Sequence, residues 1–212
     1  MSGHFDSRSP QDLADLIAGH PLAWLCARGA EGLIAAPLPL LPHWAADGTL
    51  AGVEGHLPRT HALVAALQAE PQALVLWMGV QGYVSPSWLG DRTQAPSWTY
   101  AAAQARLQIV FDDDEALLAA HLERLSAAHE AGRAGAWQPA EMGERFARLA
   151  RRVIAFRGTV THLQQRYKLG QDERDDTFAA QLAQLDGTPL AAWMRRFNPQ
   201  RGTRRAAELA DS

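Results

Sequence analysis

Residues 82–100 read GYVSPSWLGDRTQAPSWTY and spell Pro-Ser-Trp twice, at 86–88 and 96–98, on either side of a polar loop. The residue before a proline is pushed toward extended backbone, so each copy is expected where a strand meets the loop, and the loop has to return the chain to one rim. In an extended segment Ser85 and Ser87 share a face with Trp88 opposite, while Ser97 and Thr99 alternate with Trp98 and Tyr100. Tyr83, Ser85, Ser87, Trp88 and Trp98 together offer aromatic walls and hydroxyls, which suit a flat heteroaromatic ligand that takes stacking and edge hydrogen bonds. The competing use of the same residues is a pair of indoles that plug a barrel end.

Of the 20 Lys+Arg residues only Lys168 is a lysine. A chain that otherwise writes arginine keeps a lysine where a compact, rotatable ammonium is needed, or by drift. Cys26 is the one cysteine, inside LAWLCARG, and reads as a core thiol, with no His or Lys neighbour in the local sequence to make it a nucleophile. His129-Glu130 lacks the second histidine of a zinc motif, and Glu130 with Arg133 reads as a pair on a helix face. No metal site, Gly-rich nucleotide loop or nucleophile elbow is expected. The run RRFNPQRGTRR carries five arginines and no acid between Arg195 and Arg205. It could meet a phosphate backbone, but an acidic overall balance and no helix-turn-helix pattern favour a solubilising tail.

These residues need elements to position them. A chain of 212 residues, 47% hydrophobic and with net charge -3, supports one sizeable core. The expected organisation is one domain over 1–190 with helical additions, and an Arg-rich helix or tail over 191–212, partly disordered. Neither a signal peptide nor a spanning segment is expected, which places the chain in the cytoplasm, away from membranes. Ser9, Pro10 and Asp12 open a first helix. Residues 21–44 read as two strands whose prolines, Pro37, Pro39 and Pro42, confine the second to an edge. An Asp-Gly turn leads to a third strand, and Thr60 is expected to cap the helix THALVAALQAEP. Residues 72–88 read as a hairpin turning at Gly79 to Gly82. A strand over SWTYAAAQARLQIVF, a helix over EALLAAHLERLSAAHE, a helix near Glu141 to Arg151 and a long last strand complete the pattern. About six strands joined mostly by hairpins predict an α+β fold, an antiparallel split β-barrel with flanking helices.

YVSPSWL, APSWTY, AAHEAGRAGAW and RYKLGQD together resemble the PaiB-like proteins, a branch of the FMN-binding split-barrel superfamily, over roughly residues 5 to 185. The resemblance implies a homodimer of split barrels with FMN held between subunits, a flavin-dependent oxidoreductase or, by the label many members carry, a transcriptional regulator. It also implies a cofactor role for His56 and Arg59 in GVEGHLPRTH, where the Arg59 fork and Thr60 at a helix start suit a phosphate. Lys168 and Gln171 would add a cationic and an amide contact. A relative in the branch, piperazate synthase, resembles the same fold and uses haem to form a nitrogen–nitrogen bond. Haem b is therefore the alternative cofactor, with His56 or His61 as axial ligand.

Overall fold

The computed structural model describes residues 3–201. The strands are β1 (Leu22–Gly29), β2 (Gly32–Pro39), β3 (Leu41–Trp44), β4 (Leu50–Pro58), β5 (Gln72–Val84), β6 (Ser97–Asp112) and β7 (Val153–Lys168). They form one sheet in the order β2-β1-β5-β6-β7-β4-β3, antiparallel at the β1/β2, β1/β5, β3/β4 and β4/β7 pairs. The helices are α1 (Pro10–Gly19), α2 (Ala62–Ala69), α3 (Glu115–Glu130), α4 (Glu144–Ala150), α5 (Asp175–Gln184) and α6 (Pro189–Phe197). The fold is thus the expected α+β antiparallel split barrel, with seven strands where about six were expected. The run 32–44, read as one strand, divides at Leu40, whose amide turns away to the Pro21 carbonyl (3.2 Å).

The chain groups into two compact units. The first contains Met78–Ala103 with the segments before Pro21 and after Gln164, and the second contains Pro21–Trp77 and Gln104–Gln164.

In the second unit β2 and β3 lie at opposite ends of the strand order although one residue, Leu40, joins them. A sheet whose two ends are linked that tightly must turn round on itself, which is barrel closure. Along β4, Val53 and Leu57 are buried in the core with Leu40 and Phe156, and the alternate residues face the other way. Asp114 caps α3, accepting from Ala116 N (2.7 Å) and Leu117 N (3.1 Å). The cap of α2 is His61, which accepts from Leu63 N (3.1 Å), and not Thr60, which stands exposed in the turn before it. The ring nitrogen of His61 reaches the second amide of the helix, as a cap must.

In the first unit the expected hairpin at Gly79 to Gly82 is absent, and β5 runs unbroken through both glycines. Neither has positive φ. A Cβ on Gly79 would stand 3.0 Å from the Ala101 carbonyl oxygen, and one on Gly82 would stand 2.7 Å from Leu190 Cδ2. These glycines give room for close packing and do not turn the chain. At the end of β7, Tyr167 stacks on Phe197 of α6 with ring centroids 4.9 Å apart. Asn198 fastens the end of α6 by donating to the Leu169 (3.0 Å) and Met194 (2.8 Å) carbonyls.

Asp12 opens α1 as expected, accepting from Arg8 N (2.7 Å) and Ser9 N (3.0 Å), and it is 1% exposed. Its charge is met by Arg196 Nη2 at 2.6 Å, and Arg196 also bridges to Asp15. Arg196→Ala should therefore lower stability by about 2–3 kcal/mol, the loss of a charged hydrogen bond to a buried carboxylate. Urea unfolding should show a lower midpoint at an unchanged slope. An unchanged midpoint would mean that the two amides alone hold Asp12.

Candidate functional site

The Pro-Ser-Trp copies have different structures within the first unit. Residues 86–88 form one 3-10 turn, in which Ser85 Oγ accepts from Ser87 N (3.2 Å) and the two hydroxyls lie 2.7 Å apart. Ser85 and Ser87 are therefore joined to each other, which corrects the extended reading of this copy, and Trp88 is half-buried. The second copy opens β6, where Ser97 Oγ accepts from Lys168 Nζ at 2.5 Å. The lone lysine thus has a specific partner across the β6 and β7 strands. On the opposite face of β6, Trp98 (54% exposed) meets Tyr83 (46% exposed) edge to face, with centroids 6.2 Å apart. Gln171 uses both ends of its amide on its own turn, donating to Tyr167 O (2.6 Å) and accepting from Leu169 N (2.7 Å).

The remaining expected site residues lie in the second unit, at the end of β4. Arg59 Nη2 pairs with Asp113 at 2.6 Å and its Nε donates to the Arg151 carbonyl at 3.0 Å, so the guanidinium is already oriented. Asp113 is largely exposed, and water screens such a pair, so an incoming anion can compete for the fork. His56 Nδ1 lies 3.1 Å from His121 Nε2 of α3, and the rings meet edge to face.

That contact leads to a buried cluster that the sequence reading did not single out. Glu54, two residues before His56 on the same face of β4, is 4% exposed. It accepts a two-pronged bond from Arg124, Nε to Oε1 and Nη2 to Oε2, each 2.9 Å. His43 Nε2 of β3 stands 3.3 Å from Oε2, and His121 Nδ1 stands 3.4 Å from Oε1. A cavity of about 50 Å³ beside them is also lined by Asp112 and Arg157, themselves paired at 3.0 Å. Two signals were present in the sequence. Glu54 and His56 are two apart in a strand, and His121 and Arg124 are three apart in a helix, so each couple shares a face.

Burial would raise the pKa of Glu54, but the Arg124 fork and His121 outweigh it, and the carboxyl lies below its ordinary value. Burial, followed by the charge His121 would carry, lowers His56 from 6.5 to about 4. Burial lowers His121 also, against the opposing pull of Glu54. Cys26 is half-buried rather than a full core residue, and burial raises its thiol pKa, which keeps it a poor nucleophile. Glu130 and Arg133 do pair, at 3.6 Å, but across the turn that follows α3 and not on a helix face, since the helix ends at Glu130. Among the described residues no His, Cys, Asp or Glu group has the arrangement of a metal site, and no helix is long and apolar enough to cross a membrane. Three of the five C-terminal arginines are engaged internally. Arg195 pairs with Asp186, Arg196 with Asp12 and Asp15, and Arg201 donates to three carbonyls. Arg204 and Arg205 lie outside the described residues.

Acid should test the cluster. The unfolded chain binds protons on its histidines near pH 6.5, whereas folded His56 resists protonation until about pH 4. Its contribution is therefore complete above 6.5 and lost as pH falls toward 4, on the order of 2–3 kcal/mol for His56. Denaturant unfolding between pH 7 and 4.5 should show this fall, and His56→Leu should flatten it. Equal slopes in the two proteins would place the acid sensitivity elsewhere in the cluster, at Glu54 or His121.

The family described as "Putative FMN-binding domain" matches residues 1–162. No curated protein matches the chain. Among solved structures the chain is similar to a flavocytochrome from Azotobacter vinelandii, with TM-score 0.59 and 12% identity over 80% of this chain and 72% of that one. It is also similar to an FAD and haem binding protein from Mycobacterium smegmatis, with TM-score 0.57 and 18% identity over 82% and 78%. A conserved hypothetical protein from Mycobacterium tuberculosis gives TM-score 0.55 and 9% identity over 79% and 90%. At such identities the likeness is one of fold. The family match spans most of the chain, and the protein belongs to the FMN-binding domain family.

Proposed function

We propose that the protein binds FMN as a cytoplasmic homodimer and serves flavin-dependent oxidation and reduction, in the manner of the PaiB-like branch. The observation that carries this reading is the exposed Tyr83–Trp98 pair at the start of β6. Two exposed aromatic rings have the stacking chemistry of a flavin ligand, and the Lys168 ammonium, bound to Ser97 on the other face of the strand, supplies the cation. In the first unit the residues that would hold it are Tyr83, Ser85, Ser87, Trp88, Trp98 and Lys168. Gln171 would act through the turn it fastens. In the second unit His56, Arg59 and Thr60 carry a separate part of the expectation, Arg59 as an anion contact. The flavin supplies the electron-accepting chemistry, and the chain binds and orients it. The engaged Arg195, Arg196 and Arg201 lend the DNA-binding regulator reading no support.

The visible spectrum of the purified protein, with and without added FMN, tests the proposal. Flavin bands and saturable FMN uptake are expected. A Soret band would put haem b in place of FMN, on Nε2 of His56 or His61, since each Nδ1 already has a partner. A colourless protein that takes up neither would overturn both. Arg59→Ala should weaken FMN by about ten- to a hundredfold and riboflavin far less. Lys168→Arg should also weaken FMN, because the planar fork cannot replace the compact ammonium at Ser97. Light scattering should give a dimer, and a concentration-independent monomer would remove that part of the proposal.

A further inference from the structure

Glu54, His121 and His56 form a chain of contacts whose hydrogen positions follow from charge. The Glu54 carboxylate is buried and carries one negative charge, which the Arg124 fork matches. His121 is 2% exposed, and its Nδ1 is buried without a well-formed hydrogen bond, 3.4 Å from Glu54 Oε1. A lone pair on that nitrogen would point negative density at the carboxylate, whereas an N–H is attracted to it. Since Arg124 already balances the charge, neutral His121 with its proton on Nδ1 satisfies the site. Its Nε2 then carries the lone pair and must accept. The ring nitrogen 3.1 Å away, His56 Nδ1, is therefore the donor. A neutral imidazole has one N–H, which leaves His56 Nε2 without a proton.

We infer that Glu54 and His121 are positioning residues that hold His56 in its Nδ1–H tautomer, so that His56 offers Nε2 as a fixed acceptor for a hydroxyl or imide N–H of the ligand. This is the logic by which a carboxylate behind a histidine fixes which ring nitrogen is available. FMN carries donors of both kinds, on its ribityl chain and on its ring. The low pKa of His56 keeps the acceptor unprotonated at neutral pH. The ligand assignment rests on the FMN reading above. The tautomer does not.

Nitrogen-15 correlation spectra of the histidine rings at neutral pH read the tautomer directly, with or without FMN. His56 should show a pyrrole-like Nδ1 and a pyridine-like Nε2, and the reverse pattern in the wild-type protein overturns the inference. Glu54→Leu should release it, because no acceptor then holds the proton on His121 Nδ1. Both rings should populate both tautomers, and His56 Nε2 should lose its wholly pyridine-like signal. An unchanged His56 tautomer in folded Glu54→Leu overturns the positioning role. FMN affinity should fall about three- to tenfold in His56→Ala, the worth of one hydrogen bond, and should fall in Glu54→Leu also. A loss in His56→Ala without one in Glu54→Leu also overturns it. The expected tautomer in a protein that binds no FMN supports the relay and removes the ligand assignment.

Discussion

One residue, Leu40, joins the two strands that lie farthest apart in the strand order, and the second unit is built around that short link. A strand cannot end one edge of a sheet and begin the other within a residue unless the sheet has turned round to bring its edges together. Closure puts Leu40 itself in the core, 1% exposed. It also fixes the faces of β4. Val53 and Leu57 point into the barrel, so Glu54 and His56 have to point out of it, onto the side where α3 supplies His121 and Arg124.

An outward-facing glutamate on a strand would ordinarily be wet. Here α3 covers it, and a covered carboxylate is tolerated only if its charge and its oxygens are met. Arg124 meets both oxygens with one planar fork, as a lysine could not. The two histidines complete the polar chain without adding charge, since burial holds both mainly neutral at pH 7. Together these contacts bind α3 to β4, and the same geometry that satisfies Glu54 sets the ring orientation of His56.

The first unit solves a related problem at α6. Arg196 answers the buried Asp12 of α1 and lies over the Trp193 ring, 5.1 Å from its centroid. Guanidinium planes and stacked aromatics thus hold α6 against β7 and α1. A lysine appears only where its partner is a single hydroxyl, at Ser97.

Much of this fold is local in origin and was legible along the chain. The acidic start of α1, the alternation of β6 and β7 and the edge prolines of β2 act over a few residues, so composition and period reveal them. The same is true of the residue types at Tyr83, Trp98, Arg59 and Lys168, which announce stacking and anion chemistry wherever they fall. What a glycine is for is not local. Gly79 and Gly82 look like turn residues until Ala101 and Leu190 arrive beside them. The Glu54 cluster is less local still, because its acid and its arginine are 70 residues apart. Sequence period states that Glu54 and His56 share a face. Which helix covers that face, and therefore which nitrogen of His56 is left to act, depends on strand register and barrel closure, and only the tertiary structure decides those.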